Sequence, residues 1–220
     1  MTSSKDLPDS TVPAAPTPAA SSPTSRSHRR DLRPGEVPPS RYLLFVLIAS
    51  VGCYLDLITK RLVFAWLGDP GQGKIWWLWE NFIGIETSLN RGALFGLGRG
   101  GVLWFAAFSC VALVGVVVWF IWGRVGQSLS LTIVLACITA GILGNLYDRL
   151  GLWTVGPDGW PQDYAVRDWI RFSYYDHVWP NFNIADALLV CSAIYLTWES
   201  FRVPAESKSN DSNKVSGLFV

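Results

Sequence analysis

The sequence predicts an all-α integral membrane protein with four transmembrane helices, and three observations carry that expectation. Half of the 220 residues are apolar. Residues 42 to 202 hold only 21 charged residues, about 13% of that stretch, against roughly 25% in an ordinary soluble domain. The same stretch contains apolar runs long enough to cross about 30 Å of hydrocarbon at about 1.5 Å per residue.

The first 41 residues stand apart, with eight of the 13 Pro, ten charged residues and no aromatic. Such a segment cannot bury enough apolar surface to offset the entropy of ordering, so residues 1–41 read as a disordered cytoplasmic extension. Its basic end (Arg26, Arg29, Arg30, Arg33 and Arg41) directly precedes an apolar run and has no interleaved aromatics. A cytoplasmic topology signal fits this better than nucleic-acid binding, and no nucleic-acid partner is expected.

The membrane domain is expected over residues 42–202. The first span opens with 14 uncharged residues, Tyr42 to Leu55, and continues through Asp56 and Lys60 to Trp66. Val102–Trp122 and Val125–Tyr147 give 21 and 23 uncharged residues; the short Gly-Arg connection between them predicts an antiparallel pair. A fourth span covers about 183–200, with Asp186 near its start, and residues 203–220 form a cytoplasmic tail. Four spans put both termini in the cytoplasm and residues 67–101 and 148–182 outside. Those outer segments hold seven of the 12 Trp, the pattern of an aromatic belt at the headgroup layer. The four Cys (53, 110, 137 and 191) fall one per span without metal-ligand spacing, and read as small buried hydrophobes. Ser50-Val51-Gly52-Cys53 faintly resembles a lipoprotein-precursor cleavage box, but the charged Thr-Lys segment that follows argues against it.

Ionisable groups within or at the edge of spans are costly, which marks each as a functional candidate. Asp56 lies about 21 Å along the first helix, Asp148 closes the third and Asp186 opens the fourth, so all three collect near the outer side. Asn145-x-x-Asp148 and Asn183-x-x-Asp186 repeat one pattern, which puts each amide on the helix face of its carboxylate. Two carboxylates brought together in a low-dielectric site share a proton: one serves as general base on water while the other polarises a carbonyl. Other catalytic templates are poorly supplied, since the only two His (28 and 177) build neither HExxH nor a metal site. GxSxG and Walker motifs are absent.

Five segments in order resemble the motif boxes of the lipoprotein signal peptidase (signal peptidase II) family: Asp56-Leu57-Ile58-Thr59-Lys60; Asn90-Arg91-Gly92-Ala93-Leu94-Phe95-Gly96; Gly141-Ile142-Leu143-Gly144-Asn145-Leu146-Tyr147-Asp148-Arg149; Val166-Arg167-Asp168-Trp169; and Phe182-Asn183-Ile184-Ala185-Asp186. The resemblance covers about 42–202. It implies four membrane helices whose outer loops form a small β-rich cradle and an interfacial helix. The implied enzyme is a monomeric aspartic endopeptidase of the bacterial cytoplasmic (inner) membrane, with its site near the outer face and no metal or cofactor. It removes signal peptides from diacylglyceryl-modified prolipoproteins by cutting before the lipidated Cys. The resemblance puts the catalytic aspartates at Asp148 and Asp186, with Asp56, Asn145, Arg149, Asn183 and Ala185 in support and Asn90 on the substrate backbone.

From the residues themselves, Lys60 can pair with Asp56 four positions earlier, an exposed pair contributing only a few tenths of a kcal/mol. Arg149 can orient Asp148 or snorkel to phosphate. Gly92, Gly96 and Gly98 allow a peptide backbone to pass close, and Asp168 is expected to support by hydrogen bonding. The long extension and an insertion over 152–165 depart from the family pattern and bear on substrate preference. A transporter or proton relay is the alternative function, disfavoured because its acids would extend across the membrane. A noncatalytic assembly factor would not require the two Asn-x-x-Asp pairs.

Overall fold

The computed structural model describes residues 36–72, 74–92, 101–154, 156–157 and 163–202. Four helices are long and apolar enough to cross a membrane: α1 (Pro39–Leu67), α2 (Val102–Trp122), α3 (Leu129–Arg149) and α4 (Ile184–Arg202). The protein is a mostly helical integral membrane protein. The α1–α2 and α3–α4 connections together build an antiparallel sheet ordered β1 (Trp76–Trp79), β2 (Ile83–Asn90), β3 (Val166–Tyr174) and β4 (His177–Val178). Among the described residues the only further helical element is one 3-10 turn, Val125–Gln127, so no interfacial helix is found there. Nearly all of the extension, the tail, Gly96, Gly98 and part of the insertion lie outside the described residues.

Local chemistry sets the helix ends. Proline near the first turn of α1 sacrifices no needed N–H, and Gly68, at φ 82°, ends the helix where a left-handed residue is required. The third helix begins at Leu129 rather than at Val125. Arg124 at φ 55° leads into the 3-10 turn, and the extended Ser128 then caps α3 by accepting the Leu131 N–H.

The third helix is the hub, packing against the other three, and Leu135, Ala136 and Ala140 on it are fully buried. Phe45 of α1 stacks on Phe120 of α2 at 4.2 Å in the cluster that Leu135 and Ala136 complete. Leu103, Phe108 and Val111 of α2 point away from the bundle, as lipid-facing residues do. The cysteines divide between these environments: Cys53 and Cys137 are half-buried, whereas Cys110 and Cys191 are exposed on the bundle surface, contrary to the expectation that all four are buried.

Two glycines set the approach of α3 to α1 and α4. A Cβ on Gly141 would stand 2.7 Å from the Ala185 carbonyl oxygen, and one on Gly144 would collide with the Asp56 carboxylate. The sheet joins this bundle through a bulge in β2. Ile85 pairs with Ile170 but Ser88 with Asp168, leaving one extra residue in β2, and Glu86 there accepts from Arg171 (2.5 Å) and Asn181 (3.0 Å). Past β4, Phe182 bridges to Ile170, so the chain enters α4 directly beside β3. The insertion is stitched at its base: Thr154 and Asp163 exchange hydrogen bonds, the Trp153 indole N–H donates to Ala165, and Asp163 pairs with Arg91 at 2.5 Å.

Because α1, α3 and α4 meet through these glycines, Gly141→Leu is expected to destabilise the bundle by about 1–3 kcal/mol or more, read as a lowered thermal midpoint in detergent.

Candidate active site

The site forms where the sheet-side ends of α1, α3 and α4 meet β2 and β3. It begins with Asp56 and Lys60, one turn apart on α1. Neither has any solvent exposure, and the ammonium lies 2.6 Å from Asp56 Oδ2, 3.1 Å from Asp148 Oδ2 and 3.1 Å from Asn145 Oδ1. Lys60 thus pairs with Asp56 as its spacing allows, but as a buried cation that ties α1 to α3 rather than as one of an exposed pair. The other oxygen of Asp56 accepts the Ala185 N–H at 2.9 Å, which satisfies one orphan donor at the start of α4. Ala185 is fully buried, and its backbone serves this contact.

Asp148, the last acid of α3, has both oxygens occupied. Oδ1 accepts from Arg167 Nε (3.2 Å) and Nη2 (2.7 Å); Oδ2 accepts the Arg167 backbone N–H (3.0 Å) in addition to Lys60. Sequence spacing pairs Asp148 with Asp186; in the structure its partners are instead two cations. Arg149, expected beside Asp148, lays its guanidinium 5.9 Å from the Phe105 ring centre, in electrostatic range of Asp186, Asp168 and Asp148.

The amides of the two Asn-x-x-Asp motifs act across motifs. Asn145 Nδ2 donates to Asp186 Oδ1 at 2.7 Å, and Asn183 Nδ2 donates to Asp168 Oδ1 at 2.6 Å and to Asn145 Oδ1 at 3.1 Å. Asn183 also caps α4, since its Oδ1 accepts the Asp186 N–H (3.0 Å) while its own N–H donates to Asp186 Oδ2 (3.3 Å). One residue thus orients both Asp186, on the helix, and Asp168, on the strand. Asn90, at the end of β2, adds a side-chain hydrogen bond to Asp168 and also accepts the Gly92 N–H at 3.0 Å, which puts Gly92 in the turn leaving the sheet.

Asp168 is 2% exposed, and Asp186 is partly open. Burial first, and next the Asp186 charge, push the Asp168 carboxyl up to about 8, despite the donors from Asn183 and Asn90. The cluster as a whole contains four carboxyls (Asp56, Asp148, Asp168 and Asp186) and three cations (Lys60, Arg149 and Arg167). It is electrically neutral when one carboxyl holds a proton.

The structure thus brings together Asp56, Lys60, Asn90, Asn145, Asp148, Arg149, Asp168, Asn183, Ala185 and Asp186, with Gly92 at the rim. Sequence reasoning missed Arg167. It lies inside a recognised motif box, but its partner, 19 residues away, is set by strand-to-helix packing that no local period reports.

A family model described as signal peptidase (SPase) II matches residues 48–202. A lipoprotein signal peptidase of Rhodopirellula baltica is 48% identical over 167 residues, covering 74% of this chain and 74% of that protein. Another, of Rhodococcus jostii, is 32% identical over 189 residues, covering 81% and 86%. Among solved structures, a bacterial membrane enzyme determined by the in meso method at 2.3 Å shares the fold, with a TM-score of 0.61 at 24% identity over 76% of this chain and 90% of that one. The family match over most of the membrane domain, together with these relatives, means that the chain belongs to the signal peptidase II family.

Proposed function

We propose that this protein is a membrane aspartic endopeptidase that removes signal peptides from diacylglyceryl-modified prolipoproteins, cutting before the lipidated Cys, with Asp168 and Asp186 as the pair that activates water. The observation that carries the reading is the Asp168–Asn183–Asp186 arrangement, in which two carboxyls under mutual electrostatic influence are oriented by one residue, through its side-chain amide and its backbone N–H. This revises the pairing of Asp148 with Asp186: four donors already fill the Asp148 carboxylate, leaving it no oxygen for a water or a shared proton.

The environments differ enough to assign roles. Asp168, deeply buried, keeps its proton at neutral pH and donates it toward the scissile carbonyl. Asp186 is oriented by the Asn145 and Asn183 donors and takes a proton from the attacking water. As the tetrahedral species collapses, the proton on Asp186 passes to the leaving amine and one hydroxyl of the gem-diol returns its proton to Asp168 as the carbonyl re-forms, so that the pair again holds one proton. Asn90, adjacent to Asp168 at the end of β2, is suited to hold the substrate backbone. The positive-inside arrangement of Arg41 and Arg202 supports cytoplasmic termini and a site at the outer face of the bacterial inner membrane. A transporter or proton relay is less well supported, because the acids gather at the sheet end of the bundle.

Incubated in detergent with a diacylglyceryl-modified precursor, the protein is expected to yield a product shortened to the lipidated Cys; no shortened product would refute the reading. Asp168→Asn and Asp186→Asn are each expected to slow cleavage by roughly 10²–10⁴-fold with the thermal midpoint largely kept. Asp148→Asn, which leaves Arg167 and Lys60 undercompensated, is expected to cost about 3 kcal/mol or more of stability. Parental cleavage by Asp168→Asn would sink the pairing.

The pH profile supplies a second check. A raised carboxyl loses its proton as pH rises through its value, so kcat is expected to fall above about pH 8 as Asp168 ionises. A flat profile to pH 10 would argue against Asp168 as the acid.

A further inference from the structure

We propose that Arg167 is a positioning residue for the reaction: by neutralising Asp148 it fixes the number of protons that the Asp168–Asp186 pair holds. The inference rests on the reading of that pair given above. Arg167 is itself 5% exposed, and its fork and backbone N–H supply three of the four donors to Asp148. Its guanidinium also lies 5.0 Å from the centre of the Trp153 ring, so the cation is held at its edge by the carboxylate and over its face by an indole.

The consequence follows from how the remaining charges are shared. Asp168 is faced by Asp186 on α4, by Arg149 on α3 and by Lys60 on α1, and it follows Arg167 in the chain, while Glu86 on β2 is committed to Arg171 and Asn181. Without Arg167, Asp148 would depend on Lys60, which already compensates Asp56 at 2.6 Å. The cluster would carry one extra negative charge, which raises the affinity of the carboxyl pair for protons. Lys60 would also be drawn from Asn145 Oδ1, loosening the amide that donates to Asp186 at 2.7 Å. Since Arg167 precedes Asp168 on β3, the contact that neutralises Asp148 also pins the strand carrying the acid.

A merely structural strap would change how much enzyme is folded without moving the titration of the pair, so the pH profile of kcat separates the two roles. With the detergent-purified full chain and a diacylglyceryl-modified precursor, Arg167→Gln is expected to move both limbs about one unit to higher pH, with KM within about twofold. Arg167→Lys keeps the charge, so its limbs are expected within about half a unit of the parent's although maximal kcat falls. Asp148→Asn/Arg167→Gln removes both charges and is expected to return the limbs to the parental position. Should Arg167→Gln fail to fold, Asp148→Asn alone leaves an excess cation and is expected to shift the limbs to lower pH. Unmoved limbs in Arg167→Gln or Asp148→Asn, or a double variant shifted as far as Arg167→Gln, would overturn the proposal. If Asp168→Asn cleaves like the parent, the underlying pair fails instead.

Discussion

The arrangement depends on a buried ammonium. Lys60 lies wholly inside the protein, within 3.1 Å of two carboxylates and an amide oxygen on two helices. Desolvating such a group costs several kcal/mol, which is recovered only when every donor finds a well-placed acceptor. That requirement constrains the bundle: Asp56 must face α3 and α4, Gly144 must be bare to admit it, and Asp148 and Asn145 must face inward from α3. Asp56 then uses its second oxygen to cap α4, which brings Asp186 to the same level. A shift of any one helix would strand a charge, so the ion network fixes helix positions more strictly than apolar packing against lipid can.

The same network explains what the sequence could reveal. Four spans were legible because charge is scarce over 42–202, and the acids at their ends stood out for that reason. Asp186, Asn145 and Asn183 were found by their spacing, which reports a shared helix face. Spacing does not report the partner across the interface. Asn145 serves Asp186, Asn183 serves Asp168, and Asp148 turns to Arg167, all contacts between elements far apart in the chain. Asp168 read as a supporting residue because it sits in an apolar Val-Arg-Asp-Trp segment, and strand alternation, which sends neighbours to opposite faces, does not single it out. Near the start of β3 this alternation gives no contrast: Val166, Arg167 and Asp168 are all buried, since helices cover one side and Asn90 and Asn183 the other.

The division of the site between bundle and sheet has a chemical use. A carboxyl on a membrane helix that is filled by cationic donors is spent on structure; Asp148 is the example. A carboxyl delivered by a strand can be buried without a cation of its own. Burial and an acid neighbour keep a proton on Asp168 at neutral pH, against the pull of its amide donors. Asp186, at the start of a helix, accepts instead from the Asn183 backbone N–H and the Asn145 amide.

Asn183 makes these two environments interdependent. Its Nδ2 group on Asp168 Oδ1 disfavours protonation of that oxygen and leaves the proton to Oδ2, while its backbone and Oδ1 hold Asp186 in the capping geometry. The Phe182–Ile170 bridge, immediately before it, fixes where this amide stands against β3. The acid and the base are therefore aligned by one residue at the junction of strand and helix. Lengthening or shortening the segment between β4 and α4 would misalign both carboxyls together, even with every ionisable group retained.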